Sequence, residues 1–336
     1  MSGEDATGGR GLIAPEKPVL RILSDGRAGH EAQSLGLAEA MGLEADIRRV
    51  NPREIFAALA PFGPVDWRER ETAADSPIAP PFPDIAIGAG RRVIPYLRRM
   101  KQASKRQTFT VYLNRPAFGP RAADLIVAPA HDGLFGLNVV APITPPNRVS
   151  AERLAELRKS PDPRVKSLAA PRAALLVGGD SRHFSFSKAT AAALCETVRT
   201  LRAAGMSVMA TCSRRTPAYV SEMLQAEFAS GRGWLWDGAG ENPYFSMLAL
   251  AETIVVTADS VSMVGEAVAT GAPVYVFAVA GGSRKIADYL SKLEALGAVR
   301  PWTGVVEHWS YEPMQSTPAV ARAVWRAYKI YRGIPD

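Results

Sequence analysis

One pattern dominates the chain and narrows its possible folds more than any other. A short apolar run of strand length, a polar turn containing glycine or serine, and a helix-length segment with periodic apolar residues follow one another, in both halves of the sequence. Strands separated by helices at this rhythm require crossover connections, and hence a parallel sheet covered on both faces. In the first half Val19–Leu23, Asp84–Gly88, Phe109–Leu113 and Asp124–Ala128 have strand character, while Ala32, Leu35, Ala38 and Met41 recur at helical spacing up to Gly42. Arg91–Lys101 reads as a further helix, and residues 61–83, with six prolines, read as a surface loop. In the second half Ala173–Val177, Ser207–Thr211, Thr253–Thr257 and Pro273–Val279 are strand-like. Helices are expected near 187–204, 261–270 and 285–296, closed by Gly205, Gly271 and Gly297. Thr216-Pro217 and Asn242-Pro243 each look like an N-cap followed by proline at the first helical position.

At 336 residues the chain exceeds most single cores, so two domains are expected. The reading is α/β: two doubly wound, Rossmann-like domains facing a cleft. The first covers 18–146 and the second 172–312. A proline-rich linker at 147–171 holds one short helix. Residues 313–336 carry a final helix, opened by Thr317-Pro318, that is free to cross back onto the first domain. Residues 1–17 read as a flexible N-terminus.

Hydrophobic residues at 47% and charged residues at 22% suit an ordinary globular protein. Cys195 and Cys212 form no CxxC pair and read as buried small hydrophobes in a reduced compartment. The opening MSGEDATGGRG lacks the apolar core of a signal peptide, and no stretch approaches 18 apolar residues, so a cytoplasmic location is expected. The net charge of +7 is partly concentrated in Arg91–Arg106, where Arg91, Arg92, Arg98, Arg99, Lys101, Lys105 and Arg106 occur without an acid. Val93, Ile94, Tyr96, Leu97 and Met100 are interleaved with them. That mixture suits peripheral docking on an anionic membrane, on the inner face of the plasma membrane; a solvated helix face is the alternative. No nucleic-acid-binding signature accompanies the charge, so nucleic acid is not an expected partner.

Open α/β sheets bind ligands beyond the carboxyl ends of their strands, and four loops lie there. Ser24–His30 holds Asp25, Gly26, Arg27 and Gly29, with His30 where a helix begins. The positive end of a helix favours a neutral imidazole able to accept a proton; the alternative is a tight turn with a surface histidine. Gly178, Gly179, Ser181 and Arg182 follow a strand and suit a diphosphate, or merely relieve strain in a turn. Ser213 and Arg214 sit between a strand and a helix, where a capping role competes with contact to a base or phosphate. Ser260, Ser262, Met263 and Glu266 open a helix. Serine hydroxyls there can hold phosphate oxygens, and a carboxylate one turn on can accept from ribose hydroxyls, unless both simply stabilise the helix start.

Absent motifs remove several classes. GxxxxGK[ST] does not occur, and Gly88-Ala89-Gly90 continues with Val93 where a dinucleotide fingerprint needs Gly or Ala. No tyrosine precedes a lysine by four, no Asp-x-Asp occurs, and His30, His131, His183 and His308 are dispersed without metal spacing. Neither a metal nor a cofactor is expected.

The segments LSDGRAGHEAQSLGLAEAMG, VGGDSRHFSF and ENPYFSMLALAETIVVTADSVSMVGEAVATGAPVYVF together resemble the plant elongated-mitochondria fission factor and its bacterial relatives, over about residues 18–330. Those relatives are similar to GT-B glycosyltransferases, including the peptidoglycan enzyme that adds N-acetylglucosamine to a lipid-linked acceptor, and lipid-A disaccharide synthase. The resemblance implies a nucleotide-activated sugar held mainly by the second domain. Gly178, Gly179 and Ser181 would lie near its diphosphate; Ser260, Ser262 and Met263 would line the fourth loop, and Glu266 would meet the ribose. Gly26, Gly29 and His30 match a Gly-Gly-His loop in which the histidine is a candidate general base, with Asp25 a second candidate. Asp25-Gly26-Arg27-Ala28 departs from the family's nearly all-glycine run, a change in charge that leaves the acceptor open. Two functions follow: a metal-independent glycosyltransferase acting on a membrane-associated acceptor, or a non-catalytic adaptor on the same fold, as the plant member recruits a dynamin-like protein to mitochondria.

Overall fold

The computed structural model of the chain describes residues 17–117 and 119–335; apart from Lys17, the expected flexible N-terminus lies outside the described residues. The first half builds β1 (Leu20–Ser24), α1 (Ala28–Ala40), β2 (Ala45–Arg49), α2 (Glu54–Leu59), β3 (Ile85–Ala89), α3 (Ile94–Ala103), β4 (Phe109–Leu113), β5 (Leu125–Val127) and β6 (Val139–Val140). These strands form one sheet in the order β2-β1-β3-β4-β5-β6, parallel throughout. β1, β3 and β4 are buried along their whole length because helices cover both faces, which is why they read as continuous apolar runs.

Two helices, α4 (Ala151–Lys159) and α5 (Pro163–Lys166), occupy the expected linker in place of one, and Leu154 and Val165 sink into the core of the second sheet. Then come β7 (Arg172–Val177), β8 (Phe184–Ser185), α6 (Lys188–Ala203), β9 (Ser207–Cys212), α7 (Ala218–Phe228), β10 (Gly233–Trp236), α8 (Tyr244–Leu250), β11 (Thr253–Thr257) and α9 (Val261–Val268). β12 (Val274–Phe277), β13 (Ala280–Gly281), α10 (Arg284–Ala295), β14 (Val299–Pro301) and α11 (Thr317–Arg332) complete the chain. The second sheet is also wholly parallel, ordered β10-β9-β7-β11-β12-β14, with β8 and β13 forming a small antiparallel pair beside it. The architecture is two Rossmann-like sheets of GT-B type.

Helix α11 leaves the second sheet and returns to the first. Val320, Ala321, Val324 and Tyr328 join Leu20, Leu37, Phe109 and Leu125 in one apolar cluster. Its start is tied to the segment between the sheets: Thr144 Oγ1 lies 2.9 Å from Ser316 Oγ, and the Asn147 amide donates to Thr317 Oγ1 at 3.0 Å.

Three local expectations change. Pro217 and Pro243 are themselves the N-cap residues of α7 and α8, so neither proline stands at the first helical position. The Thr216 hydroxyl instead donates to the Gly178 carbonyl, and Asn242 Oδ1 accepts from the Tyr244 amide at 3.0 Å. Residues 61–83 are only partly a surface loop. Ser76, Ile78 and Ala79 are buried, and the Arg21 guanidinium, itself buried, donates to Ala79 O at 2.9 Å and to Pro81 O at 3.1 Å. Finally, Val93, Ile94, Tyr96, Leu97 and Met100 are at most 1% exposed, since α3 turns that face onto β3 and β4. They cannot supply the apolar part of a membrane-docking segment.

Candidate functional site

Strand order decides where a ligand can lie. In the first sheet the chain runs from β1 outward to β2, then returns to the other side of β1 to form β3. In the second it runs from β7 outward to β9 and β10, then returns to place β11 beside β7. Each reversal opens a crevice beyond the strand ends, where the loops on either side diverge. The loops after β1 and β3 flank the first crevice; those after β7 and β11 flank the second.

A carboxylate fills each crevice. In the first it is Asp25, whose side chain is 5% exposed and whose Oδ1 lies 2.9 Å from His30 Nδ1. Gly90, after β3, permits this: a Cβ there would stand 2.3 Å from Asp25 Oδ2 and 2.9 Å from His30 Nδ1. Burial works to raise the Asp25 carboxyl, but the hydrogen bond and charge of His30, with the Arg27 amide and guanidinium, outweigh it and hold Asp25 below its ordinary value. Asp25 is therefore ionised near neutrality and acts as the acceptor of this pair; in the neutral imidazole that donates from Nδ1, Nε2 is the remaining acceptor. The sequence pointed to both residues; the geometry makes them a pair in which one orients the other. Tyr112, packed beside Asp25 and Gly90, has its phenol pushed up to about 12 by burial, with the Asp25 charge adding to the effect.

In the second crevice the carboxylate is Asp259, which the sequence did not single out. Its side chain is fully buried. It accepts from the Gly179 amide at 3.0 Å and the Thr257 hydroxyl at 2.7 Å, and pairs with Arg215 at 3.2 Å. The Gly178 amide is likewise spent, donating to Thr257 Oγ1 at 2.8 Å. A Cβ on Gly178 would stand 2.1 Å from Asp259 Oδ1, so the close approach of this carboxylate explains that glycine. Ser181 Oγ accepts from the amides of His183 and Phe184 and shapes a turn, while Arg182 is exposed beside His183. Ser213 Oγ accepts from the Arg215 amide, and Arg214 is exposed.

The fourth loop opens α9, with Ser260 as its N-cap accepting from the Met263 amide at 3.4 Å. Ser262 Oγ lies 3.8 Å from where a Cβ on Gly29 would stand, so the N-termini of α1 and α9, one from each sheet, meet here. The first amides of any helix lack an intrahelical acceptor, and two such ends converging form a positively polarised cleft wall. Met263 is half-buried beside them. Glu266 points inward and is 8% exposed, and its Oε2 accepts from the Tyr244 hydroxyl at 2.6 Å. Burial pushes its pKa up to about 7, against which the Tyr244 hydrogen bond works.

A second polar cluster joins the sheets, and only the folded chain reveals it. His131 and Asp132 follow β5; Lys285 and Tyr289 lie on α10. Lys285 pairs with Asp132, the His131 and Tyr289 rings pack at 4.7 Å, and the Tyr289 hydroxyl lies close to Gly265 of α9. His131 Nδ1 and the Tyr289 hydroxyl are buried with no hydrogen-bond partner among the described residues. No sequence signal announces this seam, because its members lie some 150 positions apart in pairs of unremarkable spacing. Among the described residues no group of three or more His, Cys, Asp or Glu side chains is placed to hold a metal, and no helix is long and apolar enough to cross a membrane.

Comparison with known proteins gives both a family and a fold. The profile of the family described as mitochondrial fission ELM1 matches residues 28–328. The mitochondrial fission protein ELM1 of Arabidopsis thaliana is 29% identical over 271 residues, 73% of this chain and 64% of that protein. The uncharacterized protein RP120 of Rickettsia prowazekii (strain Madrid E) is 28% identical over 166 residues, 47% of each. The chain thus spans less than two thirds of the curated relatives it matches. Among solved structures, a candidate UDP-N-acetylglucosamine 2-epimerase of Listeria monocytogenes superposes with a TM-score of 0.58 at 12% identity, over 95% of this chain and 98% of that one. The UDP-GlcNAc 2-epimerase of Methanocaldococcus jannaschii does so with a TM-score of 0.52 at 11% identity, over 92% and 99%. At such identities the likeness speaks for the fold alone.

Proposed function

The chain belongs to the mitochondrial fission ELM1 family, and from that premise we propose that it binds a nucleotide-diphosphate sugar between its sheets and transfers the sugar, without a metal, to a hydroxyl of a membrane-associated acceptor. The observation that carries this reading is the meeting of two helix N-termini, at Gly29 and Ser262, beside the Asp25–His30 pair. An anionic diphosphate suits the first feature and a hydroxyl to be deprotonated suits the second.

In this mechanism His30 Nε2 takes the proton of the acceptor hydroxyl while Asp25 holds the imidazole and stabilises its positive charge. The acceptor oxygen bonds to the anomeric carbon as the bond from that carbon to the diphosphate oxygen breaks. The nucleoside diphosphate departs toward the α9 N-terminus, with exposed Arg182 and Arg214 within the same loop cluster to offset its charge. Glu266 would accept from ribose hydroxyls once Tyr244 yields or shares it. Since the amides of Gly178 and Gly179 are already engaged, they contribute by shaping the loop and not by holding phosphate.

Those internally satisfied groups favour one second reading, an adaptor that keeps the fold without turnover. Thermal-shift titration with UDP-, GDP-, CMP- and dTDP-sugars separates the two, because a ligand of the native state raises the melting temperature. The transferase reading expects one donor class to stabilise the protein. It also expects His30→Ala and Asp25→Asn to retain that stabilisation while losing about a hundredfold or more in turnover. If no donor shifts the transition, the transferase reading fails and the adaptor stands.

A further inference from the structure

Residues 133–143, GLFGLNVVAPI, run from the end of the turn after β5 through β6 and contain no Asp, Glu, Lys or Arg. An apolar stretch of this length is too short to span a bilayer and ordinarily belongs to a core or to an interface. Here it is not in a core. Phe135 is 85% exposed, Leu137 is fully exposed and Ile143 is 41% exposed, while Val139 and Val140 of edge strand β6 are half-buried.

Alternation decides which way these side chains point. Leu134 and Gly136 face inward: Leu134 packs on the apolar cluster beneath, and a Cβ on Gly136 would stand 2.9 Å from Pro120 Cγ. Phe135 and Leu137 therefore share the outer side. Their platform is firm. Asn138, the one polar side chain of the stretch, turns inward and donates from Nδ2 to the carbonyls of Pro120 at 2.8 Å, Ala123 at 3.2 Å and Asp124 at 3.2 Å. Its own carbonyl accepts from the Ile126 amide at 2.9 Å. A loosely held loop would fold its apolar residues away from water; one pinned by these bonds holds them out.

Size and shape select what covers them. Phe135, Leu137 and the exposed part of Ile143 together offer on the order of 400 Å², against about 800 Å² per partner in a stable protein interface. They also project, and a projecting pair needs a matching groove in a protein but none in the interfacial layer of a membrane. Exposed charges on neighbouring elements, Arg115 and Arg121 before β5 and Asp288 on α10, are of both signs, so charge selects no partner. We infer that residues 133–143 enter the interfacial region of a lipid bilayer, Phe135 and Leu137 reaching furthest. The apolar contact that α3 withholds is supplied here, by a stretch without charge. It begins directly after Asp132, on the sheet edge that also carries the Asp25–His30 loop, so docking keeps the first crevice near lipid. The inference rests on the proposed membrane-associated acceptor for its purpose alone.

Co-sedimentation of the full chain with vesicles of pure phosphatidylcholine, at high salt to silence surface charge, should show binding. Phe135→Ser with Leu137→Ser should weaken partitioning about tenfold or more, with an unchanged melting temperature because both side chains lie outside the core. Val305→Ser, at an apolar residue 57% exposed in the second half, should leave partitioning unaltered. Phe135→Trp should keep it and add tryptophan emission that brominated phosphatidylcholine quenches. No binding of the parent to neutral vesicles, binding that the serine pair leaves intact, or a concentration-dependent dimer that the serine pair dissolves would each overturn the inference. Donor-induced thermal shifts without lipid report on the proposed function alone. If none appears while vesicle binding persists, the transferase falls and the docking stretch stands; if donors bind and vesicles do not, the reverse holds.

Discussion

Glu266 shows how burial tunes a carboxyl group. Its carboxyl is raised to about 7 by burial against an ordinary 4.5. A raised carboxyl contributes stability that is fully present below the unfolded value and is lost as pH climbs through the folded one, here between about 4.5 and 7. Glu266→Gln keeps an acceptor for the Tyr244 hydroxyl and cannot ionise. Denaturant midpoints measured from pH 5 to 8 should therefore fall in the parent relative to this variant, by roughly 3 kcal/mol at most; parallel curves would refute the assignment. His131 runs the other way. Burial lowers its pKa to about 4, so its contribution is present above about 6.5 and fades as pH falls toward 4. If ribose hydroxyls donate to ionised Glu266, donor binding at pH 7 should release up to about half a proton, and the calorimetric binding enthalpy should vary with the ionisation enthalpy of the buffer. The sequence singled out Asp25, His30 and Glu266 as candidates because each stands in a loop of telling composition. Asp259 was not legible as a crevice-filling group, since a lone acid between alanine and serine says nothing of which glycine will close over it.

At the scale of elements, the central strands were legible and the sheet edges were not. β4 and β11 agree with the expected spans residue for residue, because burial on both faces leaves an unbroken apolar run. β2, with sequence ADIRR, carries three charges in five residues; as an edge strand it keeps Arg48 and Asp46 in a surface ion pair at 2.9 Å. β6, β10 and β14 are short and lie at or near margins, where hydrophobic periodicity has too few positions to register. Helix α1 meets the inter-sheet segment so closely that a Cβ on Gly36 would stand 2.3 Å from the Asn147 carbonyl oxygen. Backbone on the far side cannot give way cheaply. Gly36→Ala should thus destabilise the chain by about 1 to 3 kcal/mol despite the better helix propensity of alanine, read from the urea midpoint; a neutral or stabilising outcome would mean the segment yields. Ser187→Ala, which breaks the capping box of α6 with Thr190, should cost about 1 kcal/mol by the same measurement.

For the whole molecule, contacts among the described residues that join the two sheets include the α1–α9 meeting, the His131–Tyr289 and Asp132–Lys285 seam, the ion pair of Glu39 on α1 with Arg153 on α4, and α11. The seam ties the sheets together beside the place where the proposed donor would lie, between Gly29 and Ser262. Lys285→Ala should leave each sheet's core intact while enlarging the radius of gyration in solution scattering, and a saturating donor should reverse the change. Removal of 317–332 should uncover Val320 and its cluster partners on the first sheet, so that hydrogen exchange rises in β1, β4 and β5 well before β7 and β11; uniform protection would contradict the packing. The return of α11 also has a consequence in time. During synthesis at about 5–20 residues per second, the first sheet emerges well before the second, yet a wall of its core is encoded in residues 317–332. The domain begun first is thus finished last, and for many seconds it must wait, with an uncovered apolar face, for the ribosome to deliver the helix that closes it.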